Sequence, residues 1–245
     1  MTRPLSAGLL ACLLAIPSAF LVTHGRAAPV ELPAADEGFH YHWQLRNLLG
    51  LVAGFFLPRQ GDGELTFKVQ KNGHLLCELL ITSPDSGEGE NFRYGSEIDA
   101  RTLQPFRAWS SYTWHGRSKS QNDEIEQKGV IEIVSGIYAL RRNPPVKPRR
   151  MEIWSDGKIY PVVVIPLGDE SKLVGGRQIE TRHYSIRPVD LPGRRRWKGK
   201  VDCWLARDAV VTPVEILISR SLADVRLELA TGPAPATPAG GGPRR

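Results

Sequence analysis

Met151-Glu152-Ile153-Trp154-Ser155-Asp156-Gly157-Lys158-Ile159-Tyr160-Pro161-Val162-Val163-Val164-Ile165 is a pair of β-rich runs on either side of a two-residue turn signal. Asp-Gly between such runs favours a tight hairpin, because Gly takes positive φ freely and Asp tolerates it. Residues 159–165 are apolar on both faces, the pattern of a central strand with cover on each side. Toward the C-terminus, residues 178–186, 201–206, 214–219 and 224–229 repeat the strand pattern. The last of these puts Val225, Leu227 and Leu229 on one face and Asp224, Arg226 and Glu228 on the other.

Working toward the N-terminus, Phe39-His40-Tyr41-His42-Trp43 alternates aromatic and polar residues. Leu65, Phe67 and Val69, then Leu75, Cys77, Leu79 and Ile81, flank Asn72-Gly73, a hairpin signal that calls for positive φ at both turn residues. Residues 92–98 and 108–115 read as further strands, with a polar loop at 83–91. Segment 126–142 is ambiguous. Its β-branched content suits a strand, whereas Val130, Ile133, Val134 and Ile137 recur at helical spacing, which predicts a helix. Pro144 and Pro145 would stop it, and Arg141 and Arg142 suit the carbonyl end of its dipole. The architecture expected over residues 39–230 is therefore mostly β, a curved antiparallel half-barrel sheet with one helix packed against it. On that helix Glu132, Ser135, Tyr138 and Arg141 follow at steps of three, a polar stripe placed to line a ligand cavity; the alternative is that Arg141 pairs with a sheet carboxylate and Tyr138 packs at the rim.

Residues 1–28 have the layout of a signal peptide: Arg3, an apolar run at 5–22, and Gly25, Ala27 and Ala28 ahead of Pro29. An uncleaved inner-membrane anchor is the alternative, since a run of about 18 residues just spans a bilayer. A linker at 29–38 follows, then the β-rich domain. The Pro/Gly/Ala-rich tail at 231–245 holds too little apolar surface to offset its ordering entropy. Residues 48–57 are ten apolar or glycine residues, suited to a buried turn or a lipid-facing loop. Export to the periplasm or the outer membrane is the compartment these features imply.

The formal charge of +6 falls by two when Arg3 and Arg26 leave with the leader, and Arg244 and Arg245 lie on the tail. A mildly basic exported body does not suit nucleic acid. Arg194, Arg195, Arg196, Trp197 and Lys198 form a basic stretch fit for an anionic membrane surface, or for plain solubility. Lys147, Arg149 and Arg150 form a smaller one. In the mature chain Cys77 and Cys203 remain, each on the apolar side of a strand. A disulfide and a pair of buried free thiols are both open, the thiols preferred because nothing in the sequence brings the Cα atoms within about 7 Å.

Chemistry is harder to find. Ser155 and Lys158 have the Ser-x-x-Lys spacing, but across a turn, where the lysine cannot sit one helical turn from the serine. His40 and His42 share a strand face without a nominated third metal ligand, and Asp85, Glu88 and Glu90 miss the calcium-loop spacing. A non-enzymatic module without metal or cofactor is expected, binding an apolar or amphipathic ligand such as a lipid, or an envelope protein. A structural assembly factor is the alternative, and an unfamiliar hydrolase a more distant one.

Ile137-Tyr138-Ala139-Leu140-Arg141, the strand Lys158-x-Tyr160-x-Val162, and Trp204-Leu205-Ala206-Arg207-Asp208 followed by Thr212-Pro213-Val214 resemble the exported bacterial proteins grouped as domain of unknown function 3108. The resemblance covers roughly residues 39–229 and rests on the order and spacing of these motifs. It implies a signal-bearing, mostly β envelope protein without an established activity, similar in shape to periplasmic lipoprotein carriers. Glu132 departs from an aspartate usual in that group, and the apolar stretch 48–57 is also unusual there.

Overall fold

The computed structural model describes residues 36–46, 60–83, 91–114, 117–220 and 224–230. The leader, most of the linker, the apolar stretch 48–57, the acidic loop residues Asp85, Glu88 and Glu90, and the tail lie outside them. Among the described residues thirteen strands form one sheet: β1 (Glu37–Arg46), β2 (Gln60–Val69), β3 (His74–Thr82), β4 (Asn91–Asp99), β5 (Pro105–Trp114), β6 (Arg117–Glu124), β7 (Val130–Ile131), β8 (Arg149–Ser155), β9 (Lys158–Val174), β10 (Arg177–Pro188), β11 (Lys200–Ala206), β12 (Pro213–Ser219) and β13 (Asp224–Leu229). The one helix among the described residues, α1 (Ile133–Arg142), follows β7.

The spatial order is β6-β5-β4-β3-β2-β1-β13-β12-β11-β10-β9-β8-β7. From β1 to β6 and from β8 to β13 sequence neighbours pair antiparallel, and β1 joins the two halves by pairing with β13, Trp43 opposite Leu227. Among the described residues β7 alone is parallel to its neighbour, β8. A sheet this wide must curl, because each strand is twisted against the next. Here it rolls around α1, whose residues from Ile133 to Arg141 are all buried and which touches β3 and β4 on one side and β8 and β11 on the other.

The two ends of the rolled sheet overlap without pairing. Ala108 of β5 stands opposite Ser96, on the face that looks toward α1, yet it packs with Ile125, Val130 and Trp154 in a second small core. The Trp154 indole donates to Asp123 Oδ2 (2.8 Å) and Ser110 donates to Asp156 Oδ1 (3.1 Å), so side chains seal the seam that backbone bonds leave open. Segment β6 was not expected as a strand. Its residues are polar and largely exposed, as suits an edge, and carry no alternation to read.

The hairpin at Asp156-Gly157 has positive φ at both residues, 51° and 78°. The Asn72-Gly73 hairpin also forms, but only Gly73 (φ 81°) is left-handed there. A four-residue turn from Gln70 to Gly73 forms instead, closed by Gly73 N–H to the Gln70 carbonyl (2.9 Å) and flanked by Gln70 N–H to the His74 carbonyl (2.8 Å), so a single left-handed position suffices. Residues 159–165 are covered on both faces only in part. Val162 and Val164 face the main core and Ile159 packs under the overlap, while Val163 and Ile165 stay half-buried. At its far end β9 bends its hairpin with β10 onto the outer face of the sheet, where Val174 packs with Trp204, Ala206 and Val214.

Candidate functional site

The helix expected over 126–142 is confined to Ile133–Arg142, because Val130 and Ile131 are taken up by β7. Glu132 is its N-cap. The carboxylate accepts from Val134 N–H (2.7 Å) and Ser135 N–H (3.3 Å), while Ser135 Oγ accepts from Glu132 N–H (3.0 Å), a reciprocal capping box. Ser96 adds a fourth contact at 3.5 Å. Burial holds the Glu132 carboxyl up at about 7 against these hydrogen bonds, which pull it down.

Across pH 4.5 to about 7 the folded chain keeps a proton that an unfolded glutamate has released. Stability from this group is therefore full below pH 4.5 and is lost as pH rises through 7, by on the order of 3 kcal/mol. Glu132→Gln keeps an acceptor at the cap and removes the titration. Urea midpoints measured at pH 5 and pH 8 are expected to differ markedly in the parent chain and to converge in the variant.

The four residues of the polar stripe are brought together inside the rolled sheet, each held by the protein itself. Tyr138 is fully buried with its ring 5.0 Å from Phe67, and its hydroxyl accepts from Arg142 Nε (3.2 Å). Arg141 donates to Glu37 Oε2 (2.6 Å) and to the carbonyls of Val210 (2.9 Å) and Val211 (3.0 Å), with its guanidinium over Phe39 and Phe67. Cys77 and Cys203 are free thiols in the same core, and burial raises both, Cys203 to about 12. Ser155 and Lys158 face each other across the β8–β9 turn, with the Ser155 hydroxyl accepting from Arg220 (3.3 Å). His42 pairs with Asp62 (3.1 Å) on the outer face.

The basic stretch lies at one mouth of the roll, and there the structure separates its members. Arg194 is committed to Glu152 (2.6 Å), Arg196 lies 3.5 Å from Asp190, and Arg195 points to solvent. Trp197 is not an interfacial anchor: only 2% exposed, it is inserted into the main core as a plug for the mouth. Its buried bulk fits because position 199 is glycine, where a Cβ would stand 2.5 Å from the indole Cζ2.

Two clefts adjoin at this mouth. One, of about 530 Å³, is lined by Arg187, Arg196, Trp197, Lys198, Lys200 and Arg220 and, among the described residues, by no acidic one. The other, about 260 Å³, opens where the sheet ends overlap and is lined by Phe92, Tyr94, Tyr112, Lys119, Asp156 and Arg220 among others. Phe92 and Tyr112 are stacked, their centroids 6.2 Å apart, and burial raises the Tyr94 hydroxyl. Arg220 belongs to both. The sequence offered no sign of this pairing, because Arg187, Arg220 and the aromatic residues come from segments far apart in the chain.

No family model and no curated protein sequence matches the chain. Among solved structures it is similar to a β-barrel-like protein of domain of unknown function DUF1849 from Brucella abortus, with TM-score 0.48 and 8% identity over 80% of this chain and 96% of that one. It is also similar to LprF from Mycobacterium bovis, with TM-score 0.31 and 14% identity over 82% and 87% of the two chains. The Mycobacterium tuberculosis lipoprotein LppX gives TM-score 0.29 and 12% identity over 79% and 84%. Among the described residues no helix is long and apolar enough to cross a membrane.

Proposed function

We propose that the protein is an exported, non-enzymatic binding module of the cell envelope that holds an amphipathic ligand at one mouth of its rolled sheet. The observation that carries this reading is the meeting of a basic cleft and an aromatic cleft at Arg220. Charge on one side and aromatic surface on the other match a molecule with an anionic head and an apolar body. The axis of the roll is filled by α1 and its neighbours, so the reading moves the ligand from the helix stripe to the mouth. The leader-like residues 1–28, outside the described part, support export.

Membership of the domain of unknown function 3108 group belongs to the same proposal. In its support, the motif segments touch: Arg141 bonds the carbonyls of Val210 and Val211, between the Trp204–Asp208 and Thr212–Val214 motifs. Asp208 caps that loop by accepting from the Thr212 N–H (3.1 Å) and hydroxyl (2.8 Å).

Mass spectrometry of denatured protein taken from the envelope is expected to show a co-purified anionic amphiphile. Arg220→Ala should lower its recovery about tenfold, in line with the loss of one charge-assisted contact. A parent chain that arrives empty and binds no added amphiphile would sink the reading, and a stable protein partner recovered in its place would favour the assembly role.

A further inference from the structure

Positive charge in the basic cleft is answered unevenly. Lys200 is held by Asp202 (2.6 Å), and Arg196 and Arg220 sit 3.5 Å from Asp190 and Asp156. None of those three carboxylates lines the cleft. Among the described residues Arg187 has the Ser185 hydroxyl (3.0 Å) as its partner and Lys198 has no carboxylate partner. Both are exposed, so the cleft presents two cations free to meet a ligand.

Beneath them is a second, independent observation. Trp197 is only 2% exposed, and among the described residues its indole N–H has no acceptor. Buried donors in folded proteins are almost always paired. The donor lies against Gly199, a residue of the same cleft: a Cβ at that position would stand 3.1 Å from Nε1. The indole itself fills the space over Gly199, so this unanswered donor is packed directly under the backbone of a residue that lines the cleft.

Resting on the binding reading above, we propose that this cleft is a phosphate subsite, with Arg187 and Lys198 as its charge partners and the Trp197 indole as its neutral donor. A phosphate monoester carries nearly two negative charges and three acceptor oxygens at neutral pH, which suits cations set around a cleft better than the single planar fork a carboxylate prefers. Arg220, shared with the aromatic cleft, sets the head beside the place for an apolar body. Free phosphate and a phosphorylated lipid head share this chemistry, and the experiment separates them.

The probes are inorganic phosphate, soluble dihexanoyl phosphatidate, and hexyl glucoside as an uncharged amphiphile, titrated into the full chain. The readout is the Trp197 indole N–H resonance, assigned by its loss in Trp197→Phe. Phosphatidate is expected to shift this resonance, hexyl glucoside to leave it in place, and Arg187→Ser with Lys198→Ser to weaken phosphatidate binding about 10- to 100-fold. Both substituted residues are exposed, so an unchanged melting temperature is expected alongside. Phosphatidate bound equally well by the double variant, or a resonance that neither phosphate probe moves, overturns the subsite; the first result leaves the amphiphile reading standing. Inorganic phosphate shifting the resonance with no gain from the acyl chains supports the subsite and removes the amphiphile reading.

Discussion

Arg141→Met is expected to lower the free energy of unfolding by about 3–5 kcal/mol, the range for breaking a buried ion pair from one side. The guanidinium is 2% exposed and serves three acceptors at once: Glu37 and the carbonyls of Val210 and Val211. Methionine fills much of the same volume over Phe39 and Phe67 but leaves all three acceptors without that donor. Val211 makes the loss worse, because a β-branched residue at φ 55° is strained and relies on its surroundings to stay there. Arg141→Lys recovers little, since an ammonium cannot reproduce the fork. Adding Glu37→Gln to Arg141→Met should cost less than the sum of the single changes, as residues in contact couple. Urea unfolding decides the matter. A loss under about 1 kcal/mol would show that Arg141 is not tying the helix to the β11–β12 loop, and would return it to the pool of ligand-facing residues.

Ile137→Ala is expected to cost about 2–5 kcal/mol, the transfer loss of the side chain plus the cavity left behind. Ile137 is fully buried on the helix that the sheet encloses, with Val134 and Tyr138 equally buried beside it. The same change tests where a ligand sits. In the parent chain a small apolar probe such as benzene should give no thermal stabilisation, whereas the variant, with an engineered apolar cavity, should gain some. A parent chain already stabilised by the probe, with a variant that loses under about 1 kcal/mol, would mean that the roll holds a preformed cavity after all.

Both results concern residues whose role was only half legible. The spacing of Glu132, Ser135, Tyr138 and Arg141 puts them along one side of a helix, and the structure does bring them together. Whether that side meets a ligand or the protein depends on what lies opposite. Glu37 is 104 residues from Arg141, and Ser96 is 36 from Glu132. The spacing left open whether the polar side lines a cavity or pairs with the sheet, and here the sheet supplies partners for it, so residues 133–141 are all buried. The basic stretch shows the same limit. Five adjacent residues share a composition but not a fate: Trp197 goes to the core, Arg194 to Glu152, and Lys198 to the cleft.

Alternation along the chain determined the strands, their hairpin order and hence a large antiparallel sheet, because side-chain period and turn chemistry act over a few residues. Edge strand β6 escaped, since an all-polar strand has no apolar face to display. Only the tertiary structure decided that β1 pairs with β13, that the ends overlap, and that Arg187, Lys198, Arg220 and the aromatic residues of β4 and β5 share one mouth. Those placements follow from how far a twisted sheet of thirteen strands must curl before its inward face is covered. That is a property of the whole sheet, and no local stretch of the chain carries it.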